Sequence, residues 1–323
     1  MSEQGGLRLL LALMKIMSWN VRGLKRPEKR SKIKVLARER KIDVLLLQET
    51  KRASVDVNFI KSLWPMEDMG FMEVDAEGSA GGLLCIWNTN VFQLIDCCSS
   101  RNFILLSGIS SQSFPCIICN IYAPNDVLKM RKLWECLINL KPFYPNARCL
   151  GGDFNEIRFM SEMKGCLRRE RGMKDFNKFI EILEMTDLPM QGRLFTWCNA
   201  MEADRWSRID RFLLDPAWLE RCKFKQWGLA RDIFDHCPIL LMEDERDWGP
   251  KPFRFINAWA SHPQFKNEVK KVWEGAQLLG YPSYKLMHKL RILRAHLRMW
   301  NKEVFGNIDD QLKKVAEELH EWT

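Results

Sequence analysis

Short apolar runs in this chain end repeatedly on acids, amides, a tyrosine or a histidine. Ile16-Met17-Ser18-Trp19 leads into Asn20, and the run from Ile42 to Leu47 leads into Gln48-Glu49-Thr50. The run from Cys116 closes on Tyr122, and another short run opens onto Gly151-Gly152-Asp153-Phe154-Asn155. Asp210 interrupts the stretch from Arg208 to Leu213, and Asp235-His236 precedes the last apolar run. Runs of about four to eight apolar residues have the length of buried strands. Interleaved with amphipathic stretches, they describe a layered α/β domain. Functional side chains gather at the carboxyl ends of strands in such sheets.

The patterning predicts strands over 15–19, 42–47, 82–87, 103–107, 116–122, 149–151, 195–197, 207–213, 228–231 and 239–242. It predicts helices over 28–40, 127–140, 173–185 and 216–220. Consecutive strands between 82 and 122 have no helix between them, so they pair antiparallel and the sheets are mixed. The charged, Gly/Pro-punctuated stretch from Asp244 to Pro250 ends the domain, which therefore occupies 14–244. The remainder, 245–323, reads as a linker and a helical appendage. There Leu286, Leu290, Leu293, Leu297, Trp300 and Val304 repeat at spacings of four and three. Ile308, Leu312, Val315, Leu319 and Trp322 repeat the pattern after Gly306-Asn307. A helical hairpin follows from this; a helix–helix partner meeting residues 286–322 is the alternative.

The formal net charge of +9 over 323 residues favours a polyanionic partner, because neutralising phosphates releases counterions. The 11 cysteines are scattered, and Cys116 and Cys119 would point to opposite faces of one strand, which is a poor zinc site. Reduced thiols in a nuclear or cytoplasmic protein are the better reading. The apolar stretch from Leu7 to Met14 is far too short to span a bilayer and lacks a basic leading region, so neither a membrane nor secretion is expected.

Each polar element has a bland reading and a chemical one. Glu49 is a surface cap or a hard oxygen ligand for Mg²⁺, which prefers one or two carboxylates with waters; Asn20 could support the same ion through its amide oxygen. Gly151-Gly152 lets backbone approach a ligand closely and leaves Asp153 to orient or deprotonate a water, with Asn155 to donate to phosphate. Tyr122 offers a hydroxyl to phosphate or simply packs. Asp210, inside an apolar strand, needs a histidine or a metal as partner. Of the five histidines, only His236 lies in the α/β domain. It is either an imidazolium raised by Asp210 or a neutral general base.

Taken in order, these residues resemble the endonuclease/exonuclease/phosphatase superfamily, whose members include DNase I-like nucleases. The resemblance spans about Lys15 to Leu241 and implies a four-layer sandwich of two mixed β-sheets flanked by helices. It implies metal binding by Asn20 and Glu49, with Asp235 completing the site through a second or mobile ion. Phosphate contact falls to Tyr122 and Asn155, nucleophile activation to Asp153, and a catalytic couple to Asp210 and His236. Met17-Ser18-Trp19-Asn20-Val21-Arg22-Gly23-Leu24, Gln48-Glu49-Thr50-Lys51, Gly81-Gly82-Leu83 and Gly192-Arg193-Leu194-Phe195-Thr196-Trp197 are similar, more narrowly, to the endonuclease of plant LINE-type non-LTR retrotransposons. Phe253–Trp259 and Phe305-Gly306-Asn307-Ile308 resemble the segment that joins that endonuclease to its reverse transcriptase. Phe234 departs from the Ser usual there. The implied function is a Mg²⁺-dependent (or Mn²⁺-dependent) DNA endonuclease leaving a 3′-hydroxyl, as a fragment of such an element without its reverse transcriptase. Arg22, Lys25, Arg26, Arg168, Arg169, Arg171, Arg205 and Arg208 are expected to contact the phosphate backbone. An abasic-site nuclease, a phosphomonoesterase of the same superfamily and a non-catalytic nucleic-acid-binding remnant are the alternatives.

Overall fold

Side chains along a strand alternate between two faces, and the central strands of this protein are buried on both. The computed structural model describes residues 14–243 apart from 79, 166–169, 200–204, 222 and 232–233, together with 259–260, 262–276 and 282–304. One sheet contains β1 (Ile16–Asn20), β2 (Val44–Gln48), β3 (Gly70–Glu77), β4 (Ala80–Trp87), β11 (Met190–Gln191), β15 (Phe224–Gly228) and β16 (Ile239–Glu243), in the order β11-β15-β16-β1-β2-β4-β3. A second contains β5 (Phe92–Ser100), β6 (Phe103–Ser110), β7 (Pro115–Tyr122), β8 (Ala147–Asp153), β10 (Thr186–Asp187) and β14 (Asp210–Leu214), in the order β10-β14-β8-β7-β6-β5. Both are mixed: β1 and β2 run parallel in the first, β7 and β8 in the second, among antiparallel neighbours. A small third sheet joins β9 (Met163–Lys164), β12 (Trp197–Cys198) and β13 (Trp206–Ser207).

The inner faces of the two large sheets meet in one core: Ile16, Val44, Leu46 and Cys85 pack with Ile104, Leu106, Cys116, Ile118 and Phe212. The outer face of the first sheet, carrying Met17, Trp19, Leu45 and Leu47, is covered by α1 (Pro27–Arg40) and α2 (Val57–Leu63) through Ile33, Ala37, Ile60 and Leu63. The outer face of the second is covered by α3 (Val127–Asn139) and α4 (Glu170–Ile182), which bring Leu133, Trp134, Phe176 and Phe179. The result is a four-layer α/β/β/α sandwich. Cys116 and Cys119 fall in different cores, as alternation along β7 requires.

Sequence and structure part at the edges. β3, β5 and α2 carry no continuous apolar run. β5 is an edge strand exposed along most of its length, so hydrophobic patterning does not report it. After the short helix α5 (Pro216–Arg221), the expected strand over 228–231 is instead Phe224–Gly228, whose alternating burial admits Lys225 and Gln226. The expected strand over 207–213 is two strands in different sheets. The break falls at Arg208-Ile209, between β13 and β14. The Gly151-Gly152 pair serves close packing within the protein rather than approach to a ligand. A Cβ on Gly151 would meet the Phe212 ring at 2.5 Å, and one on Gly152 would meet the Ile121 carbonyl oxygen at 2.0 Å.

The chain divides into two compact units, Met1–Arg246 and Asp247–Thr323. In the second, α6 (Phe265–Gly275) packs on α7 (Pro282–Val304) through Trp259, Leu297 and Trp300, with Phe265, Val269 and Leu293 alongside. The leucine stripe of α7 thus meets a preceding helix that its own spacing could not announce. Leu286 and Leu290 of the same stripe are exposed. The expected second helix over 308–322 lies outside the described residues. No helix among the described residues is long and apolar enough to cross a membrane.

Gly152→Ala is expected to lower stability by about 1–3 kcal/mol through overpacking against β7. Urea unfolding measures it, and an unchanged midpoint would show that the two strands can separate freely.

Candidate active site

The site arises from strand register. Along each inner face the strand ends alternate into polar side chains: Ser18 then Asn20 on β1, Asn120 then Tyr122 on β7, and Gly151 then Asp153 on β8. Pairing then aligns these ends. Tyr122 stands beside Asp153 on parallel β7 and β8, and Asp153 stands directly opposite Asp210 on antiparallel β8 and β14. In the facing sheet Asn20 is level with Gln48, immediately before Glu49. Beneath them Gln48 donates to Asn120 (2.6 Å) and Ser18 (3.0 Å), and Asn120 donates to the Leu47 and Leu84 carbonyls. This buried amide network locks the two sheets together just under the site.

His236 precedes β16 in a bend, where it bridges to Trp197 of β12. Its Nδ1 lies 2.9 Å from Asp210 Oδ2 and 3.2 Å from Oδ1; its Nε2 lies 3.9 Å from Asp153 Oδ2. Asn20 Nδ2 donates to Asp153 Oδ2 (2.9 Å) and reaches Glu49 Oε1 (3.3 Å), and the Tyr122 hydroxyl donates to Glu49 Oε1 (2.9 Å). One unbroken series therefore runs Asp210, His236, Asp153, Asn20, Glu49, Tyr122. Asn155 sits at its rim, its N–H donating to Asp153 Oδ1 and its amide to the Ala123 carbonyl. Of the residues expected from the sequence to form the site, Glu49, Tyr122, Asp153, Asn155, Asp235 and His236 line one cleft, and the buried Asn20 and Asp210 bond to Asp153 and His236 behind it.

The electrostatics follow from burying these charges together. Burial, with Asp210 alongside, pushes the Asp153 carboxyl up to about 7. Burial alone would lower His236, but the charge and hydrogen bond of Asp210 outweigh it and raise the imidazole to about 9. The Tyr122 hydroxyl is pushed up by burial and by Glu49, so it stays a donor. Burial alone would likewise raise Asp235, yet His236 and Arg22 hold it below the ordinary carboxylate range.

The loops above carry unusual backbone. Among the described residues, the non-glycine residues with positive φ include Arg22 (43°), Glu49 (52°), Lys51 (53°) and Asn155 (49°), all at this cleft. Such conformations cost of order 1–3 kcal/mol each and persist where surrounding bonds over-determine them. Here the Gly23 N–H donates to the Glu49 carbonyl (2.6 Å), Leu24 to Thr50, and Lys51 to Gly81. Arg22 pairs with Asp235, and Lys51 Nζ lies 3.4 Å from Glu49 Oε2.

Several supporting residues escaped the sequence reading. Thr196 is buried, and its Oγ1 accepts the N–H groups of both Ile209 and Asp210 at 3.0 Å, where β13 gives way to β14. The indole of Trp19 donates to the His236 carbonyl from 217 positions away. Arg208, expected to touch phosphate, is instead buried in a charge network: it pairs with Glu162 (3.0 Å) and Asp187 (2.7 Å), and the fully buried Arg211 pairs with the same two acids. Buried guanidinium groups need such partners, and the network pins the residues on both sides of Asp210. Arg22, Lys25, Arg26 and Arg205 are exposed. Arg168 and Arg169, and the side chain of Arg171, lie outside the described residues. The signal for Thr196 was its motif, Leu194-Phe195-Thr196-Trp197; nothing local marks the others.

The donor chemistry suits a divalent ion. The cleft offers hard oxygen ligands, and two like charges held opposite each other in a buried floor call for a cation. Among the described residues, donor atoms of Asp153, Asp210 and His236 lie within 4.8 Å of one another. Glu49 and Asn20 stand beside that group.

Comparison with known proteins agrees with this architecture. The pattern of the Endonuclease/Exonuclease/phosphatase family matches residues 17–232, and the chain belongs to that family. It is accordingly a hydrolytic enzyme of the phosphodiesterase class, in a superfamily that generally depends on a divalent metal. The fold is similar to that of an AP endonuclease from Leishmania major, with 16% identity and a TM-score of 0.58, covering 72% of this chain and 88% of that one. It is also similar to a 3′ phosphatase from Neisseria bound to a product DNA hairpin, with 19% identity, a TM-score of 0.54 and coverage of 72% and 99%. The endonuclease domain of TRAS1, a telomere-specific non-LTR retrotransposon, aligns with 14% identity, a TM-score of 0.53 and coverage of 72% and 100%. No curated protein matches by sequence.

Two measurements check the geometry. In EDTA, proton NMR is expected to show His236 titrating near 9, and Asp210→Asn is expected to lower that midpoint by more than about one unit. Because the folded value exceeds the unfolded ~6.5, the pairing stabilises the fold fully below that pH and loses its contribution as pH rises through about 9. A midpoint unmoved by Asp210→Asn would sink the pairing. Thr196→Val, which leaves two buried N–H groups without their acceptor, is expected to destabilise by about 1–3 kcal/mol, with Thr196→Ser restoring most of the loss.

Proposed function

We propose that this protein is a Mg²⁺-dependent DNA endonuclease that hydrolyses one phosphodiester by in-line attack of water, leaving a 3′-hydroxyl. The observation that carries the reading is the continuous series from Asp210 through His236, Asp153 and Asn20 to Glu49 at the floor of one cleft. Glu49 and Asn20 would hold the ion, which when bound supplies a Lewis acid against phosphate charge. Mn²⁺ would serve the same oxygen donors.

The protein's own groups would divide the remaining work. Asp153 sits where it can orient the attacking water and take its proton, and its raised affinity for protons suits that task near neutral pH. His236, kept protonated by Asp210, presents Nε2 toward the position where charge grows on the phosphorane. Tyr122, held as a neutral donor, and Asn155 at the rim would contact the remaining phosphate oxygens. Asp210 acts through His236 by fixing its ring and its charge. The bond to the 3′ oxygen breaks as the new P–O bond forms, and that oxygen takes a proton from solvent water to give the 3′-hydroxyl.

DNA as substrate is supported by the +9 charge, by Arg22 at the cleft with Lys25, Arg26 and Arg205 also exposed, and by the DNA-related neighbours. Derivation from a non-LTR retrotransposon is supported by the Met17–Leu24 and Gly192–Trp197 motifs together with the likeness to the TRAS1 domain. A role at abasic sites or as a 3′ phosphatase has support from the other neighbours, so the test uses all three substrates.

Purified protein is expected to nick supercoiled plasmid in Mg²⁺, to stop in EDTA, and to lose at least about 10²-fold in rate on Asp153→Ala or His236→Ala. Preferential cleavage of an abasic duplex, or release of phosphate from a 3′ terminus without nicking, would replace the proposed substrate. Full nicking by both variants would overturn the mechanism.

A further inference from the structure

The cleft mouth carries a cation of its own. Arg22 follows Asn20 by two positions, in left-handed backbone (φ 43°), and its N–H donates to Asn20 Oδ1 at 3.1 Å. That backbone turn sends the guanidinium across to Asp235, where Nη1 donates to Oδ2. The two ends differ in burial: the Arg22 side chain is 58% exposed, whereas that of Asp235 is 7% exposed. The turn is fastened from behind by Lys29, whose Nζ donates to the Val21 (2.6 Å) and Arg22 (3.3 Å) carbonyls and lies 4.6 Å over the Phe234 ring. Phe234 in turn packs on Trp19 at 4.2 Å. Arg22 is therefore built into its position from both sides.

The acids of the cleft are not equally served by this chain's cations. Asp210 holds His236, and Asp235 holds Arg22. Among the described residues, the ion-pair partner of Glu49 is Lys51, a flexible side chain at 3.4 Å, and that of Asp153 is His236 at 3.9 Å. A planar guanidinium on a nearly buried carboxylate is a far more persistent partner than a mobile ammonium. A divalent ion competing for oxygen ligands would displace Lys51 from Glu49 more readily than Arg22 from Asp235.

We propose that Arg22 is a resident cation that takes the place of a second metal ion, so that Asp235 is an arginine partner and the cleft holds one divalent ion on its Glu49 side. The inference rests on the metal-dependent reading above and refines it: Asp235, which the sequence offered as a ligand for a second or mobile ion, becomes a positioning residue. Removing Arg22 takes from a nearly buried carboxylate beside His236 its hydrogen-bonded cation and opens room for a second ion.

The test is Mn²⁺ binding to the full chain, read as bound ions per protein by electron paramagnetic resonance of free Mn²⁺. The native protein is expected to bind one ion. Asp235→Asn is expected to leave that ion's affinity unchanged, and Glu49→Gln to weaken it by at least about 10-fold. Arg22→Ala is expected to bind a second ion, and Arg22→Ala combined with Asp235→Asn to return to one. Thermal unfolding of each variant confirms that it is folded; Arg22 is exposed and Asn is isosteric with Asp. Two ions in the native protein, a weakened first ion in Asp235→Asn, or no second ion in Arg22→Ala would each overturn the assignment while leaving the metal-dependent nuclease reading intact. No Mn²⁺ bound to the native protein would remove both this inference and the metal-dependent reading.

Discussion

Asp153 and Asp210 face each other across neighbouring antiparallel strands, both almost completely buried, with His236 bonded to one and near the other. Like charges directly opposite on a sheet are destabilising, and burial makes them more so. The arrangement survives because each carboxylate has fixed partners: Asn20 and the Asn155 N–H on Asp153, the imidazole on Asp210. Burial, with the same repulsion, raises Asp153, and the same pairing raises His236 against its burial. Structural tension and chemical competence are here one property.

Much of the surrounding architecture exists to hold that pair. Thr196 supplies the acceptor that lets the chain leave the third sheet and enter the second at Ile209 and Asp210. The network of Glu162, Asp187, Arg208 and Arg211 clamps the residues flanking Asp210. Trp19, whose ring packs in the outer core, reaches the His236 carbonyl. Gln48, Ser18 and Asn120 close the space between the sheets beneath the site, so that the apolar core ends in amides before it meets carboxylates. A change in any of these groups would shift Asp153, Asp210 or His236 without altering those residues themselves.

The outer loops show a complementary arrangement. Arg22, Glu49, Lys51 and Asn155 all adopt left-handed backbone, and cross-loop hydrogen bonds such as Gly23 to Glu49 hold them there. Strained residues concentrated at one cleft mark where side-chain direction matters more than backbone comfort. In this protein those backbone turns place Arg22, Lys51 and Glu49 at one cleft.

By itself the sequence determined the layered α/β class, the central strands and the polar residues at their ends. Burial on both faces writes a strand as an apolar run, and a carboxylate inside or just after such a run stands out. His236 was legible because no other histidine lies in the 14–244 segment. Edge strands such as β5, exposed along most of its length and without an apolar run, were not legible, nor was the helix that α7 packs on. What only the tertiary structure decided is which distant residues meet: Arg208 turned into a buried ion network, Arg22 onto Asp235, Trp19 beneath His236, and Thr196 onto the backbone of Asp210. Those contacts depend on sheet register and on loops crossing in space, and no local spacing of residues encodes either.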